Sequence, residues 1–135
     1  MSKIVLAYRR GLDAKVILHW LLEKGHAVIT FQADIGQDED LESMTGEAIK
    51  IGASKAVLLD LKTELVTDYA FQSIKAGAVM PNGYLLGGAC PKPLIAQYQA
   101  NIALEESALL AHGATPRQND FHRFEAGYNF YRVRN

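Results

Sequence analysis

Five short, continuously apolar runs recur along this chain, and helix-like segments separate them. The runs cover residues 3–8, 27–32, 55–60, 84–88 and 108–112. Strands that stay apolar instead of alternating are typical of a parallel sheet that is covered on both faces. We therefore predict an α/β fold: a three-layer sandwich with a mostly parallel, five-stranded sheet, formed as a single domain by residues 1–135.

The segments between the runs carry helical patterns with recognisable ends. Gly25 and Gly52 are typical of residues that follow a helix C-terminus, and they close the first and second helices. Pro93 is compatible with the first turn of a helix that runs toward Glu105. Two apolar stripes predict helix faces that pack in the core, Trp20 included. They comprise Leu12, Val16, Ile17, Trp20 and Leu21 in the first helix, and Leu61, Leu65, Val66, Tyr69 and Ile74 in a helix over residues 61–76.

Composition narrows the classes of function. A formal net charge of −1, with 49% hydrophobic and 21% charged residues, predicts an ordinary globular protein without bulk attraction to nucleic acid or anionic membranes. Cys90 is the single cysteine, no charged leader precedes an apolar core, and no apolar run approaches the roughly 20 residues of a membrane span. We expect a cytoplasmic protein. Its locally basic C-terminal end, interpreted as a solvated surface, contains Arg117, Arg123, Arg132 and Arg134.

The turn after the first apolar run combines features that conflict. A glycine turn between a strand and a helix binds phosphate when backbone N–H groups and the helix dipole converge on one point. Here Arg9 and Arg10 precede Gly11. They occupy turn positions at which glycine is favoured, because glycine lets the backbone approach a ligand closely. Two interpretations stay open at this point: the guanidinium groups hold an anion themselves, or this is a plain β–α turn with solvated arginines.

Other chemically useful side chains also follow strand-like runs. Ligands of open parallel sheets bind beyond the carboxyl ends of the strands, so we expect Asp13 and Asp34 to line a cleft there. An alternative role for Asp13 is a favourable charge at the first helix N-terminus. His112 is expected to be a hydrogen-bonded structural residue, and Cys90 a small structural one. No spacing of His, Cys and Asp predicts a metal site, and Pro81-Asn82-Gly83 predicts a turn.

Motifs in four segments resemble those of the argininosuccinate synthases, specifically their N-terminal nucleotide-binding domain of the ATP-pyrophosphatase type. They keep that family's order and spacing, and the resemblance covers residues 3–128. The motifs are residues 3–8 (KIVLAY) with 11–13 (GLD), 31–37 (FQADIGQ), 84–87 (YLLG), and 112–115 (HGAT) with 119–120 (ND) and 123–125 (RFE).

The resemblance implies a HUP fold, similar to the adenine nucleotide alpha hydrolases, and an ATP-dependent ligase of arginine biosynthesis. Such an enzyme activates the ureido oxygen of citrulline with ATP and Mg, releasing pyrophosphate, and the amine of aspartate then displaces AMP. Asp13 would be catalytic. The nucleotide would contact Tyr8, Arg9, Arg10, Gly11, Leu12, Ala33 and Gly113. The amino acids would contact Tyr84, Lys92, Thr115, Asn119, Asp120 and Arg123.

The chain departs from the family at several of these positions. The family loop Ser-Gly-Gly-Leu-Asp-Thr-Ser, which wraps the pyrophosphate, is RRGLDAK at residues 9–15. Gly88 and Ala89 replace a Thr-Ser pair, and Lys92 replaces an arginine, which exchanges a planar fork for a point charge. Residues 116–118 (PRQ) replace Gly-Lys-Gly, and the proline stiffens a loop expected to fold over substrate.

Three functions are compatible with these departures. We favour a truncated relative that keeps nucleotide or amino-acid binding and lacks full ligase activity. An active citrulline–aspartate ligase would need Arg9, Arg10 and Lys15 to replace the backbone cradle, and an oligomer or partner chain to complete the site. A structural or interaction module with a vestigial cleft predicts no nucleotide affinity.

The family also carries a larger C-terminal synthetase domain, which we expect this chain to lack. Losing that domain would bare apolar surface, and such patches mark association sites, so a homo-oligomer is expected. Residues 129–135 could be a last strand, an interface or a frayed tail. The aromatic residues expected on the bared edge are Phe121, Phe124, Tyr128, Phe130 and Tyr131.

Overall fold

A computed structural model describes residues 1–79 and 86–131 of the chain. Within them lies a parallel sheet of four strands in the order β3-β2-β1-β4. The strands are β1 (Lys3–Ala7), β2 (Ala27–Asp34), β3 (Lys55–Asp60) and β4 (Leu109–Ala111). The helices are α1 (Leu12–Glu23), α2 (Leu41–Ile51), α3 (Lys62–Glu64), a π-helical segment (Leu65–Ala70), α4 (Phe71–Lys75), a 3-10 turn (Leu86–Gly88), α5 (Pro91–Glu105) and α6 (Asn119–Phe130).

Helices cover both faces of the sheet, which confirms the predicted α/β class. One apolar core lies between the sheet and α1 with α2, and contains Leu6, Leu18 and Val28. A larger core lies on the opposite face beneath α5 and α6, and includes Phe31 and Leu94. Because successive residues of a strand point to opposite faces, continuously apolar strands fill both cores.

The fifth predicted strand, at residues 84–88, is wrong where the structure describes it. Leu86–Gly88 form a single 3-10 turn that leads into α5. Two adjacent glycines, Gly87 and Gly88, offer no side chains to pack on a sheet and favour a turn. Residues 84 and 85, together with the turn predicted at residues 81–83, lie outside the described residues.

The prediction that Trp20 packs in the core is also wrong, since 54% of its surface is exposed. Leu12 and Val16 lie on the same exposed side of α1. The predicted stripe merged two faces: residues 12, 16 and 20 form one side, whereas the buried Leu18 and Leu21 form the nearly opposite side that meets the sheet. Lys24 lies over the Trp20 ring, 5.8 Å from its centre.

The third predicted helix is continuous but changes its pitch. Leu61 is buried, and Leu65 and Tyr69 pack partly against the larger core. Val66 and Ile74 are exposed, contrary to prediction. The π-helical segment Leu65–Ala70 has more residues per turn than an α-helix, which shifts the phase of the apolar stripe after its first residues.

The aromatic edge expected from a missing domain is only partly bare. Phe124 and Tyr128 are buried against α5, which contradicts the prediction for those two, whereas Phe130 is exposed. The two helices approach closely at Gly127, where an added Cβ would lie 2.6 Å from the Cβ of Ala96. The absence of a side chain at Gly127 therefore lets α6 bury its aromatic residues on α5. Among the described helices, none is long and apolar enough to cross a bilayer.

A buried polar residue ties the layers together. Gln99 of α5 is fully buried, and its Nε2 donates to the carbonyl oxygens of Val5 at 3.0 Å and Ala111 at 2.9 Å. Its Oε1 accepts a hydrogen bond of 2.6 Å from the hydroxyl of Tyr128. One side chain thus links β1, β4 and α6.

Acid should destabilise the fold by protonating Glu106, which forms ion pairs with Lys3 and Lys55 at the amino end of the sheet. We call these three residues the Glu106 clasp. Hydrogen bonds and charges from Lys55 and Lys3 lower the pKa of Glu106 from 4.5 to about 2. A carboxyl whose pKa is lower in the folded state stabilises the fold above its unfolded pKa, and that contribution is lost as pH falls from about 4.5 toward 2. We expect the thermal midpoint of Glu106→Gln to change less than that of wild type across this window, measured by circular dichroism. Equal changes in both proteins would contradict this assignment.

Candidate functional site

An open cleft of about 470 Å³ lies at the carboxyl ends of β1, β2 and β4, where the sequence places its turns. The segments that follow these strands form most of its wall, and α5 closes one side. This volume is in the range of small-molecule sites. Its lining residues include Tyr8, Arg9, Arg10, Gly11, Asp13, Phe31, Gln32, Ala33, Gln37, Met44, Lys92, Ile95, His112, Gly113, Gln118, Asp120 and Phe124.

The β1–α1 turn forms the rim of the cleft. Gly11 has a φ of 158°, in the range that favours glycine, and α1 begins at the next residue without a side-chain cap. Arg9, Arg10 and Asp13 are exposed and line the opening. Leu12, predicted to contact the nucleotide, points away into solvent and does not line the cleft.

The apolar side of the cleft is built around Ala33 and Gly113. A Cβ added at Gly113 would lie 3.2 Å from Cδ1 of Ile17, so glycine allows α1 to pack closely against the end of β4. Gln37 holds the turn after β2, because its Nε2 donates to the carbonyl of Ala33 at 2.9 Å and its Oε1 accepts from the amide of Ile35 at 2.8 Å. The sequence motif contained Gln37, but no pattern indicated that it positions Ala33.

Two of the predicted amino-acid contacts bind each other. The Nζ of Lys92, a residue only 6% exposed, lies 3.1 Å from Oδ2 of Asp120 and 5.8 Å from the centre of the Phe124 ring. Arg123 donates to Oδ1 of the same carboxylate at 2.9 Å. Burial opposes ionisation of Asp120, but the neighbouring Lys92 and Arg123 outweigh it and hold its pKa below the usual value. This wall of the cleft is therefore an ion cluster in which the carboxylate of Asp120 is shared by two cations, Lys92 and Arg123.

The remaining predicted contacts are more dispersed. Thr115 and Asn119 are exposed and do not line the cleft, although the amide of Thr115 faces Oε1 of Gln118 at 3.4 Å. Arg123 reaches the cleft only through Asp120. Tyr84 lies outside the described residues.

His112 has the structural surroundings predicted for it. Its Nε2 lies 3.1 Å from Oε1 of Glu125, and its Nδ1 accepts a hydrogen bond of 3.2 Å from the amide of Ala114. The ring stacks on Phe124 with 5.1 Å between ring centres. These contacts fix the loop after β4 at the edge of the cleft.

The expectation that Asp34 lines the cleft is wrong. Its carboxylate forms an ion pair with Lys62 and accepts a hydrogen bond from the amide of Gly36. These hydrogen bonds, Lys62 first, lower the pKa of Asp34. Asp34 thus holds the turn after β2 to α3, outside the cavity.

The walls of the cleft combine apolar and cationic groups. Phe31, Ile95 and Ala33 form an apolar part, and the guanidinium groups of Arg9 and Arg10 at the rim are able to pair with an anion. In the part of the chain that the structure describes, no group of three or more His, Cys, Asp and Glu side chains is arranged to hold a metal ion.

The amino-acid sequence matches a known protein family over nearly its whole length. A sequence model of the argininosuccinate synthase N-terminal HUP domain matches residues 3–133. The argininosuccinate synthase of Desulfitobacterium hafniense is 50% identical over 127 residues, which cover 93% of this chain and 32% of that protein. The enzyme of Thermotoga petrophila is 49% identical over 128 residues, covering 94% of this chain and 31% of that protein. The chain therefore spans about a third of the length of these curated relatives.

A solved structure supports the fold assignment. A crystal structure described as a predicted subunit of tRNA methyltransferase from Methanocaldococcus jannaschii aligns with a TM-score of 0.57 at 15% sequence identity, covering 99% of this chain and 66% of that one. At that identity the likeness concerns the fold alone.

Proposed function

Because the chain belongs to the argininosuccinate synthase N-terminal HUP domain family, we propose that its cleft binds an adenine nucleotide and that residues 1–135 alone do not complete the ligation of citrulline and aspartate. The observation that carries this proposal is the cleft itself. Its apolar side keeps Ala33 and Gly113, whereas its amino-acid side contains the Lys92–Asp120 ion pair.

The adenine side supports binding through shape and backbone. Gln37 fixes the position of Ala33, whose backbone would meet the base edge. Gly113 also lines the cleft, and Ile17 of α1 packs so near it that an added Cβ would lie 3.2 Å from Cδ1 of Ile17. Bound there, ATP would supply an electrophilic α-phosphate.

The amino-acid side argues against turnover. An α-amino acid needs a cation for its carboxylate and an acceptor for its ammonium group. In this chain Lys92 and Asp120 satisfy each other at 3.1 Å, and Lys92 is nearly inaccessible. Binding an amino acid to these groups would require the pair to separate, and this would leave the buried ammonium group of Lys92 without its counter-charge, which is costly.

Calorimetry and a product assay on the same preparation test the proposal. We expect a saturable one-to-one heat with ATP and Mg, and no release of AMP or pyrophosphate when citrulline and aspartate are added. Absence of nucleotide binding would contradict the proposed site and favour a structural module. Turnover would contradict the proposal that residues 1–135 alone do not complete the ligation, and it would favour an active ligase that an oligomer completes. A parallel measurement of mass by light scattering would identify such an oligomer.

A further inference from the structure

A second cavity of about 280 Å³ adjoins the cleft, between the β1–α1 turn and the start of α2. The two cavities lie side by side, because four residues line both of them: Tyr8, Arg9, Arg10 and Met44. The remaining wall contains charged and polar groups of α1 and α2. These are Lys15, Asp40, Ser43 and Glu47.

Most charges of the second cavity already have partners. The Nζ of Lys15 lies 2.6 Å from Oε1 of Glu47. Asp40 caps α2, because its Oδ1 accepts a hydrogen bond of 3.0 Å from the amide of Ser43. The charges left over are two guanidinium groups: within residues 1–79 and 86–131, neither Arg9 nor Arg10 forms an ion pair.

The floor of this region is polar, buried and unsatisfied. Tyr8 is 3% exposed and its hydroxyl has no hydrogen-bond partner among the described residues. The same is true of Oε1 of Gln32 and Oγ1 of Thr30, which point to the same face of the sheet from the neighbouring strand. Buried polar atoms without a partner are rare in folded proteins, and two of these three residues, Tyr8 and Gln32, line the cleft, where a ligand can supply the missing partners.

The hydroxyl of Tyr8 is suited to donate. Burial raises its pKa, and the negative charge of Glu47 raises it further. The group therefore keeps its proton at neutral pH. Because Tyr8 lines both cavities, its side chain lies where a ligand passing from the cleft into the second cavity would meet it.

We propose that the second cavity is an anion site that receives the terminal phosphates of a nucleotide bound in the cleft. Arg9 and Arg10 hold the phosphate oxygens through their guanidinium groups, and the hydroxyl of Tyr8 donates to the same ligand. This inference rests on the proposed nucleotide function. It assigns the phosphates to side-chain cations beside α2, instead of to backbone amides of the β1–α1 turn, where Gly11 is the remaining glycine.

Lys15 is a third cation of this site, but its charge is balanced by a neighbouring carboxylate. Its ammonium group lines the cavity but is neutralised by Glu47 at 2.6 Å. Replacing the carboxylate by an amide leaves the volume almost unchanged and frees the positive charge. Glu47→Gln is therefore expected to tighten binding of a polyphosphate severalfold, whereas a role for the pair in folding alone predicts no gain.

Calorimetric titrations with inorganic pyrophosphate, adenosine and ATP on the intact chain test the site. The double variant Arg9→Ala, Arg10→Ala should weaken pyrophosphate and ATP about tenfold or more, and leave adenosine unchanged, because charge-assisted hydrogen bonds from guanidinium groups to phosphate are strong. The matched control is Arg117→Ala, since Arg117 is an exposed arginine that lines neither cavity. Equal pyrophosphate affinities in the double variant and the control would overturn the proposal.

Tyr8→Phe separates a binding role from a structural one. It removes the unpaired hydroxyl without changing the ring, so the thermal midpoint should stay constant or rise while pyrophosphate affinity falls about threefold or more. Unchanged affinity in this variant would contradict the donor role.

The same titrations distinguish this proposal from the function it rests on. If adenosine binds, ATP binds no more tightly than adenosine, and pyrophosphate does not bind, the anion site is overturned and the adenine site is kept. Pyrophosphate binding that depends on Arg9 and Arg10, without adenosine binding, would support the anion site and contradict the adenine site.

Discussion

Gln99→Leu is expected to lose about 3–5 kcal/mol of unfolding free energy, because it leaves several buried polar groups without partners at once. The carbonyls of Val5 and Ala111 would no longer accept hydrogen bonds from Nε2, and the hydroxyl of Tyr128 would have no acceptor. Because leucine fills a similar volume, the change in the free energy of unfolding measures the loss of hydrogen bonds more than a change in packing. Urea unfolding followed by circular dichroism gives the difference.

Tyr128→Phe is the matched control for this variant. It removes one hydroxyl from the same network and leaves both backbone hydrogen bonds of Gln99 intact, so the free energy of unfolding should fall by about 1–2 kcal/mol. Burial, and secondarily Glu125, raises the pKa of Tyr128, so its hydroxyl remains a donor at ordinary pH. If Gln99→Leu were no less stable than Tyr128→Phe, the hydrogen bonds to β1 and β4 would contribute nothing to stability.

Asp120→Asn is expected to destabilise the protein by about 2–3 kcal/mol, because it leaves the buried ammonium of Lys92 without a counter-charge. This effect is smaller than the roughly 3–5 kcal/mol typical of a fully buried pair, since the side chain of Asp120 is 31% exposed. Chemical denaturation at neutral pH measures it.

Lys92→Met is the informative partner variant. It removes the buried charge and keeps the length of the side chain, while Asp120 retains its hydrogen bond to Arg123 and its exposure to solvent. We expect the free energy of unfolding to change by less than about 1 kcal/mol. If Lys92→Met destabilised the protein as much as Asp120→Asn does, this would contradict the view that the buried Lys92 needs Asp120 as its counter-charge more than Asp120 needs Lys92.

The fold followed from the sequence wherever one local pattern determined one element. Continuously apolar runs located β1, β2, β3 and β4, and the positive φ angles of Gly25 and Gly52 confirm the predicted helix ends. The exposed side of α1 could not be predicted in this way. Trp20 is apolar in sequence, and only the orientation of α1 on the sheet determines that Leu18 is buried in its place.

The candidate site was predictable in position but not in its internal contacts. The rule that ligands bind beyond strand ends indicated Asp13, which lines the cleft, and Asp34, which does not. The family resemblance indicated Arg9, Ala33 and Gly113, all of which line the cleft. The Lys92–Asp120 pair joins residues 28 positions apart and depends on the packing of α5 on α6. A weak signal for the unsatisfied polar groups was present, because Thr30 and Gln32 interrupt the apolar run of β2.

The most direct test of the central claim is a map of backbone amide chemical shifts with and without ATP and Mg. If the cleft binds the nucleotide, the largest changes should occur at the carboxyl ends of the strands, at Gly11, Ala33 and Gly113, and residues around the Glu106 clasp should not change. Changes concentrated on the exposed side of α1 around Trp20, or no changes at saturating nucleotide, would contradict it.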